Sequence, residues 1–295
     1  GRVIRATGLN SIVQTDDGAR YECTVRRVVR TMQRDQRNAV VAGDVVLFLP
    51  ASDKQGVIER VAPREGVVSR KTKGQEQIIV ANVDQVLIVV SADDPPLKPS
   101  LIDRFLISAE KGRVRSIICI NKIDLVNAAY LQPIVGLYSR LGYEVLLTCA
   151  TKQNGIARLR ALLQSRETAL AGQSGVGKTS LLNAVQPGFN LQINSVSEAS
   201  GKGKHTTRRA ELLPLDFGGW VVDTPGIRQF GLWDVIAKEV EGFFVEFCPF
   251  VPFCKFPDCT HTHESNCAIQ QAVSNGMIST QRFESYLKIF TGDFD

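Results

Sequence analysis

Apolar and polar positions follow two successive patterns along the chain. In residues 1–73, short β-rich segments are separated by turns that contain Gly, Asn and Asp. The predicted strands are residues 2–7, 11–15, 20–25, 45–49 and 56–61. About five short strands in such a stretch suit a small barrel such as an OB-fold, whose face and loops commonly bind nucleic acid. We therefore expect an N-terminal OB-fold β-barrel.

From residue 74 onward, predicted strands alternate with predicted helices. The strands are residues 85–91, 114–120, 145–148, 168–171 and 219–222, and the helices are residues 101–110, 131–141, 156–164 and 180–185. This alternation is typical of a doubly wound α/β sheet, in which ligands bind beyond the carboxyl ends of parallel strands. Residues 64–76, between the two patterns, predict a linker. We therefore expect a multidomain chain whose residues 74–235 form an α/β domain.

A glycine-rich run lies between one of these strands and the helix that follows it. It fits the pattern G-x-x-x-x-G-K-S/T. Glycines let successive backbone N–H groups turn inward, and a helix N-terminus adds positive potential. We expect Lys178 to reach the β- and γ-phosphates of a nucleoside triphosphate and Thr179 to bind Mg²⁺. A plain glycine-rich turn is the alternative. The candidate residues are Gly172, Gln173, Ser174, Gly175, Val176, Gly177, Lys178, Thr179 and Ser180.

The base is indicated by an N-K-x-D pattern at the end of the strand at 114–120. The carboxylate of Asp124 can accept hydrogen bonds from guanine N1–H and the 2-amino group, whereas adenine has no donor at N1. We expect Asn121 to tie loops together and contact the purine, and the stem of Lys122 to cover the ring. After the next strand, Cys149 and Ala150 match the loop that closes over guanine. A helix N-cap at Asp124 is the alternative.

Two later segments supply the remaining parts of a GTPase. Residues 201–208 are glycine-rich and basic, and a threonine there could complete Mg²⁺ coordination; Thr207 is our choice and Thr206 the alternate. The strand at 219–222 leads into Asp-Thr-Pro-Gly, in which Asp223 would hold a magnesium-bound water and the N–H of Gly226 would sense the γ-phosphate. In the usual GTPase order the glycine-rich phosphate loop (the P-loop) comes first, then the magnesium threonine, then the D-x-x-G motif, and N-K-x-D comes last. Here N-K-x-D, at residue 121, precedes the P-loop, which begins at residue 172. This circular permutation is permitted because domain termini often lie close together.

The net charge of +5 is unevenly distributed along the chain. Residues 1–73 carry a net charge of +6, residues 74–235 carry +3, and residues 236–295 carry −4. The basic excess at the N-terminus indicates a polyanion partner. Among the basic residues between predicted strands are Arg26, Arg27 and Arg30. We expect them to contact the RNA backbone, the alternative being a solvated loop.

The C-terminal residues 236–295 contain four of the seven cysteines. Three thiolates and one imidazole form a closed structural set for Zn²⁺, and a small acidic subdomain is poorly able to hold a core without metal. Cys248 and His263 are spare candidates, and unligated buried cysteines are the alternative. We expect one Zn²⁺ per chain in this domain, and a closing helix at 281–290. The predicted ligands are Cys254, Cys259, His261 and Cys267.

Taken together, these motifs resemble the ribosome small-subunit-dependent GTPase A family (RsgA, also called YjeQ). The resemblance rests on the permuted motif order, residues 172–180, Lys204-His-Thr-Thr207 and Asp223-Thr-Pro-Gly-Ile-Arg228, and it covers nearly the whole chain. The zinc pattern matches the family ligand for ligand. The resemblance implies GTP hydrolysis stimulated by the small ribosomal subunit and its rRNA. It also implies late action in the maturation of that subunit and release of an assembly factor.

The group that positions the attacking water is less evident. In many GTPases a Gln directly after the D-x-x-G glycine has this role, but Ile227 stands there in this chain. We therefore expect a slow intrinsic rate and name His205 as the candidate catalytic residue, because imidazole can accept and donate a proton near neutral pH. The alternative is that His205 contacts RNA phosphate or caps its loop.

Two other functions remain as rivals at this point. One is a nucleotide-switched RNA-binding module with incidental hydrolysis. The other is a P-loop ATPase or small kinase, which Asp124 and the lack of an acceptor-substrate motif disfavour. No apolar run approaches the roughly 18–20 residues that span a bilayer, and no signal peptide is visible. We expect a cytoplasmic monomer that does not contact membranes.

Overall fold

The N-terminal strands close into a barrel in the computed structural model, which describes residues 1–8, 10–27, 29, 39–72, 75–189, 191, 210–223 and 237–293. The strands are β1 (Arg2–Thr7), β2 (Asn10–Gln14), β3 (Arg20–Val25), β4 (Val46–Ser52) and β5 (Gln55–Val61). They are ordered β1-β2-β3-β5-β4, with β3 and β5 parallel. A bridge between Arg2 and Val45 returns the β4 side to β1. The predicted OB-fold barrel is confirmed.

The segment between barrel and α/β domain is a hairpin. β6 (Val68–Thr72) and β7 (Gln75–Val80) pair antiparallel, so the linker predicted over residues 64–76 is wrong. Val68 and Val80 are buried, a pattern that the surrounding basic residues concealed in the sequence. Arg64 also binds the buried Asp44 through both of its carboxylate oxygens, at 2.7 and 2.8 Å. The hairpin crosses the expected boundary at residues 73 and 74, and that boundary stays a prediction.

The five parallel strands of the α/β domain are β8 (Gln85–Ser91), β9 (Arg115–Asn121), β10 (Glu144–Leu147), β11 (Glu167–Ala171) and β13 (Trp220–Asp223). Their order in the sheet is β10-β9-β8-β11-β13. The helices are α1 (Pro99–Lys111), α2 (Gln132–Arg140), α3 (Ile156–Leu163) and α4 (Lys178–Val185). Two separate cores show that α1 and α2 cover one face and α3 and α4 the other. The strands that follow β8 in the chain, β9 and β10, lie on one side of it, whereas β11 lies on its other side. In such sheets a ligand crevice forms where the strand order changes direction, here at the carboxyl ends of β8 and β11.

One further strand, β12 (Glu211–Pro214), was not predicted from the sequence. It pairs antiparallel with β13 on one side and with β1 of the barrel on the other, where Arg5 lies opposite Glu211. β12 has only four residues, too few for a clear alternation. Because of this pairing, the barrel and the α/β sheet form one continuous sheet of eleven strands among the described residues.

The C-terminal region is built from short helices around an aromatic core. A 3₁₀ helix (Ala237–Phe243) is followed by α5 (Ala268–Ser274) and α6 (Thr280–Thr291); α5 was not predicted. The core includes Phe244, Phe247 and Tyr286, together with Ile107 from α1. The C-terminal region is therefore packed directly against the α/β domain. In the described part of the chain, no helix has the length and apolar character needed to cross a bilayer.

Candidate nucleotide site and metal centre

The loop between β11 and α4 has glycines where a side chain could not fit. Gly172 has φ +142°, and a Cβ there would lie 2.1 Å from the carbonyl oxygen of Val89 on β8. Gly177 has φ +93°, and a Cβ there would lie 2.4 Å from Nδ2 of Asn121. These glycines allow the loop to approach the carboxyl ends of β8 and β9 closely. The loop therefore lies in the crevice between β8 and β11.

The side chain of Lys178 lies against this loop at the start of α4. Its Nζ donates to the carbonyl oxygens of Gly172 and Gln173, at 2.7 and 2.5 Å. Thr179 and Ser180 follow in the first helical turn and are half-buried. Backbone N–H groups in a first turn lack helical acceptors, so ammonium, hydroxyls and N–H donors collect at one place. This place has the chemistry of a phosphate site.

Asn121 joins the phosphate loop to the base-recognition loops. Its Nδ2 donates to the carbonyl oxygen of Val176 at 2.9 Å, and its Oδ1 accepts from the hydroxyl of Thr148 at 3.1 Å. Asn121 and Thr148 are both buried, and the Thr148 N–H donates to Ile120. Three loops from β9, β10 and β11 are therefore held at fixed separations by one side chain.

Asp124 is contacted by two side chains, one of which the sequence did not indicate. The thiol of the buried Cys149 donates to Oδ1 of Asp124 at 3.1 Å. The Nζ of the exposed Lys152 lies 3.6 Å from Oδ2. The Cys149 hydrogen bond and the Lys152 charge together lower the pKa of Asp124. Backbone hydrogen bonds between Cys149 and Asn154 close the loop that carries Lys152, a contact that a sequence cannot reveal.

Lys122 contacts a segment that was also missed. Its φ of +59° places it in the left-handed region, and its Nζ donates to the carbonyl oxygen of Asp94 at 2.6 Å. The Asp94 carboxylate is a further 3.7 Å ion-pair partner. The loop after β8 therefore reaches the loop after β9. Ala150 follows Cys149 in the loop after β10 and is also buried.

Several predicted site residues are not placed by the structure. For Asp223 only the backbone is described, at the end of β13 beside β11. Arg26 and Arg27 are exposed where the chain leaves β3, and Arg26 forms an ion pair with Glu59. The predicted residues outside the described part of the chain are Arg30, His205, Thr206, Thr207 and Gly226.

The cysteine and histidine side chains of the C-terminal region converge on one point. The ligand atoms of Cys254, Cys259, His261 and Cys267 all lie within 4.8 Å of one another. Nδ1 of His261 faces the sulfurs of Cys254 and Cys267, at 3.6 and 3.3 Å. Burial raises the pKa of the Cys259 thiol to about 12 and also raises that of Cys267. A cation at this point would compensate for burying the thiolates, so these donors fit Zn²⁺.

The spare metal candidates lie apart from this cluster, and another residue joins it. Cys248 is exposed, and Nδ1 of His263 is bonded to the Thr262 hydroxyl at 2.7 Å. On the far side of the His261 ring, Nε2 lies 2.7 Å from a carboxylate oxygen of Glu241. Glu241 is twenty residues before His261 in the chain, and no motif in the sequence indicates this contact.

Known proteins resemble this chain in sequence over most of its length. A family model described as RsgA GTPase matches residues 61–233. The small ribosomal subunit biogenesis GTPase RsgA of Chlorobaculum parvum is 38% identical over 301 residues, which cover 98% of this chain and 96% of that protein. The protein of the same name from Klebsiella pneumoniae is also 38% identical, over 98% of this chain and 83% of its own length.

Two solved structures resemble the whole chain. The crystal structure of YjeQ from Thermotoga maritima has a TM-score of 0.82 and 35% identity, and it covers 99% of this chain and 97% of that one. YloQ, described as a circularly permuted GTPase, has a TM-score of 0.76 and 30% identity over 99% of this chain and 93% of its own. These findings confirm the predicted family, fold class and GTP-hydrolysing activity. The chain belongs to the RsgA family of circularly permuted GTPases.

Proposed function

We propose that this GTPase acts late in the maturation of the small ribosomal subunit. The bound subunit and its rRNA stimulate hydrolysis of GTP to GDP and phosphate, and hydrolysis releases an assembly factor. The observation that carries the nucleotide-binding part of the proposal is the position of Asn121, whose side chain bonds both the phosphate loop and the loop after β10. One nucleotide can therefore contact both loops at once. The name of its relatives, small ribosomal subunit biogenesis GTPase, supports the ribosomal setting.

Within this site, the base and the phosphates are bound by different residues. The ionised carboxylate of Asp124 accepts from guanine N1–H and the 2-amino group, while Lys122 covers the ring. Lys178 exchanges its loop carbonyls for β- and γ-phosphate oxygens. The hydroxyl of Thr179 suits Mg²⁺, a hard cation that prefers oxygen; with Thr207 it would hold the ion, which neutralises phosphate charge when bound.

Two further segments, residues 201–208 and 223–226, are proposed to complete the site beside the γ-phosphate. Asp223 would hold a water of the Mg²⁺ ion, and the Gly226 N–H would contact the γ-phosphate. His205 positions the attacking water once the subunit is bound. Replacing His205 with Ala is expected to leave nucleotide affinity and subunit binding intact while subunit-stimulated turnover collapses. Normal stimulation in that variant would move the catalytic group to the ribosome.

The C-terminal cluster is proposed to bind one structural Zn²⁺. Three sulfurs and Nδ1 of His261 leave no position for water in a tetrahedral set, which is typical of structural sites. The ion would stabilise the short helices around it. Elemental analysis of the purified protein is expected to find one zinc per chain, and its absence would contradict the proposal.

The barrel is proposed to contact rRNA through Arg26, Arg27 and Arg30. Arg26 is 59% exposed and its pair with Glu59 is a surface ion pair, which contributes little and can be exchanged for a phosphate. Because both sites are assembled from residues of one chain, we propose that the protein acts as a monomer. We propose a cytoplasmic location because small subunits are its partner.

The experiment is a single-turnover GTPase measurement with small subunits, large subunits or free RNA. Only small subunits are expected to raise the rate, from no more than the roughly 10⁻⁴–10⁻³ s⁻¹ of an unassisted Ras-type site. Equal rates in all conditions would instead favour an RNA-binding module with incidental hydrolysis. A parallel titration with ATP separates guanine from adenine specificity.

A further inference from the structure

The imidazole of His261 has different partners on its two nitrogen atoms. Nδ1 faces the sulfurs of the metal cluster, and Nε2 lies 2.7 Å from Oε2 of Glu241. A neutral imidazole carries one proton, so a ring that coordinates metal through Nδ1 has its N–H at Nε2. That N–H points at a carboxylate, which accepts the hydrogen bond. The tautomer required for metal binding is therefore the one that Glu241 stabilises.

We propose that Glu241 is the positioning residue of the metal centre. It fixes the tautomer and the orientation of His261. Its negative charge also makes Nδ1 a stronger electron-pair donor to the metal. The inference rests on the Zn²⁺ site proposed above, but it concerns a residue outside the four ligands. Hydrogen bonds of this kind to metal-ligating histidines typically contribute about 10–100-fold to metal affinity.

The surroundings of Glu241 support a defined role. Its 3₁₀ helix (Ala237–Phe243) is anchored by Val240, which is fully buried in the core that also contains Phe244. The rings of Phe247 and Tyr286 also lie beside the imidazole, with centroids at 6.1 and 6.0 Å. Aromatic rings restrict the imidazole but do not select a tautomer. Among the described residues, the carboxylate is the hydrogen-bond partner of Nε2.

The location of Glu241 also links the metal centre to the α/β domain. Two positions before it, Glu239 forms a 3.3 Å ion pair with Lys111 at the end of α1. Val240 shares a core with Ile107 of α1. The helix that orients His261 is therefore the one packed against the GTPase domain. Glu239 lies on the same helix, has the same charge and pairs with Lys111 rather than with a residue of the cluster, so it provides a matched control.

The first measurement is Zn²⁺ affinity by chelator competition on the full-length protein. We expect Glu241→Ala to weaken binding by about 10–100-fold. Glu241→Gln should lose less, because an amide oxygen still accepts from Nε2–H. Glu239→Ala should bind like the unmodified protein. Equal affinity in Glu241→Ala and Glu239→Ala would overturn the proposal, whereas no zinc in the unmodified protein would overturn the metal site itself.

The second measurement separates positioning from general stability. In the Co²⁺-substituted protein, the N–H proton of a coordinated histidine gives a strongly shifted NMR signal that is retained only when a hydrogen bond slows its exchange with water. The signal should be present in the unmodified protein and Glu241→Gln, and absent in Glu241→Ala. Weaker metal binding with an unchanged signal would show a merely structural effect. If Glu241→Ala fails to fold at saturating metal, Glu241→Gln decides. We then expect it to bind Zn²⁺ more weakly than the unmodified protein, because the amide lacks the negative charge, and an unchanged affinity would overturn the proposal.

Discussion

At the scale of single residues, guanine recognition depends on how Asp124 is held. Its Oδ2 is paired with the exposed Lys152, an interaction that contributes little and that guanine can replace. Its Oδ1 accepts from the thiol of Cys149, which is 1% exposed and fixed by backbone hydrogen bonds to Asn154. The thiol therefore orients the carboxylate, and Lys152 screens it.

Cys149→Ala should weaken GTP binding by about two- to tenfold, the equivalent of one net hydrogen bond. The carboxylate would lose a donor that fixes its orientation. Cys149→Ser should retain affinity, because a hydroxyl also donates. Replacing the exposed Cys248 with Ala controls for loss of a thiol. Fluorescent-nucleotide titration measures all three variants, and an unchanged affinity in Cys149→Ala would show that the thiol has no such role.

At the scale of helices and strands, α1 and α6 are joined by a buried ion network. Arg282 on α6 donates to Asp103 of α1 and to Glu246, each at 2.6 Å. The Tyr138 hydroxyl donates to the same oxygen of Asp103, also at 2.6 Å. Burial lowers the pKa of Arg282, but the charges of Asp103 and Glu246 raise it by more. Arg282 therefore stays charged in the core between two domains.

Arg282→Ala should reduce the free energy of unfolding by about 3–5 kcal/mol, because the Asp103 carboxylate would remain buried without its cationic partner. The exposed Arg115, paired with Glu144, is the control, and Arg115→Ala should cost at most about 1 kcal/mol. Urea titrations followed by tryptophan and far-UV signals measure both changes. Similar small losses of unfolding free energy in the two variants would show that the network does not stabilise the contact between α1 and α6.

Much of this architecture could be read from local sequence patterns. The strand β8 is a continuous apolar run, and Gly172 and Gly177 mark a loop that must approach other backbone closely. The sequence predicts a linker where the structure has the hairpin β6–β7, because the buried valines of the hairpin are separated by basic residues. β12 could not be predicted, since its four residues are stabilised by neighbours distant in sequence.

The site residues also differ in how well the sequence predicts them. Residues within a short motif, such as Asn121 and Asp124, are identified by their spacing because one loop carries them. The contacts from Lys152, Asp94 and Glu241 depend on how separate loops meet in the fold. Because the contacting loops are separate in the sequence, no local residue pattern indicates these contacts, and only the folded structure shows them.

At the scale of the whole molecule, the nucleotide domain is attached to both of its neighbours. The barrel joins it through the pairing of β1 with β12, and an ion pair links Arg5 to Glu211 at 3.9 Å. The C-terminal region joins it through α1 and Arg282. β12 also borders β13, whose end carries Asp223. Strand pairing thus provides a direct connection between the nucleotide domain and the proposed RNA-binding barrel.

Replacing Arg26, Arg27 and Arg30 together with Ala should weaken small-subunit binding and make it less sensitive to salt. Each lost phosphate contact should reduce the log–log salt slope by about 0.7–0.9. Arg158→Ala, on α3 and outside the barrel, is the control. Binding measured at several salt concentrations tests this, with basal GTPase activity expected to stay constant. An unchanged slope would mean that these arginines are only solvated surface.

The most direct test of the central claim is subunit-stimulated hydrolysis by Asp124→Asn with GTP and with XTP. An amide donor suits the 2-oxo group of xanthine, so small subunits should stimulate GTP hydrolysis only in the unmodified protein and XTP hydrolysis mainly in the variant. That exchange would show that the nucleotide held by Asp124 is the one whose hydrolysis the subunit triggers. Equal stimulation of GTP hydrolysis in both proteins would contradict the account.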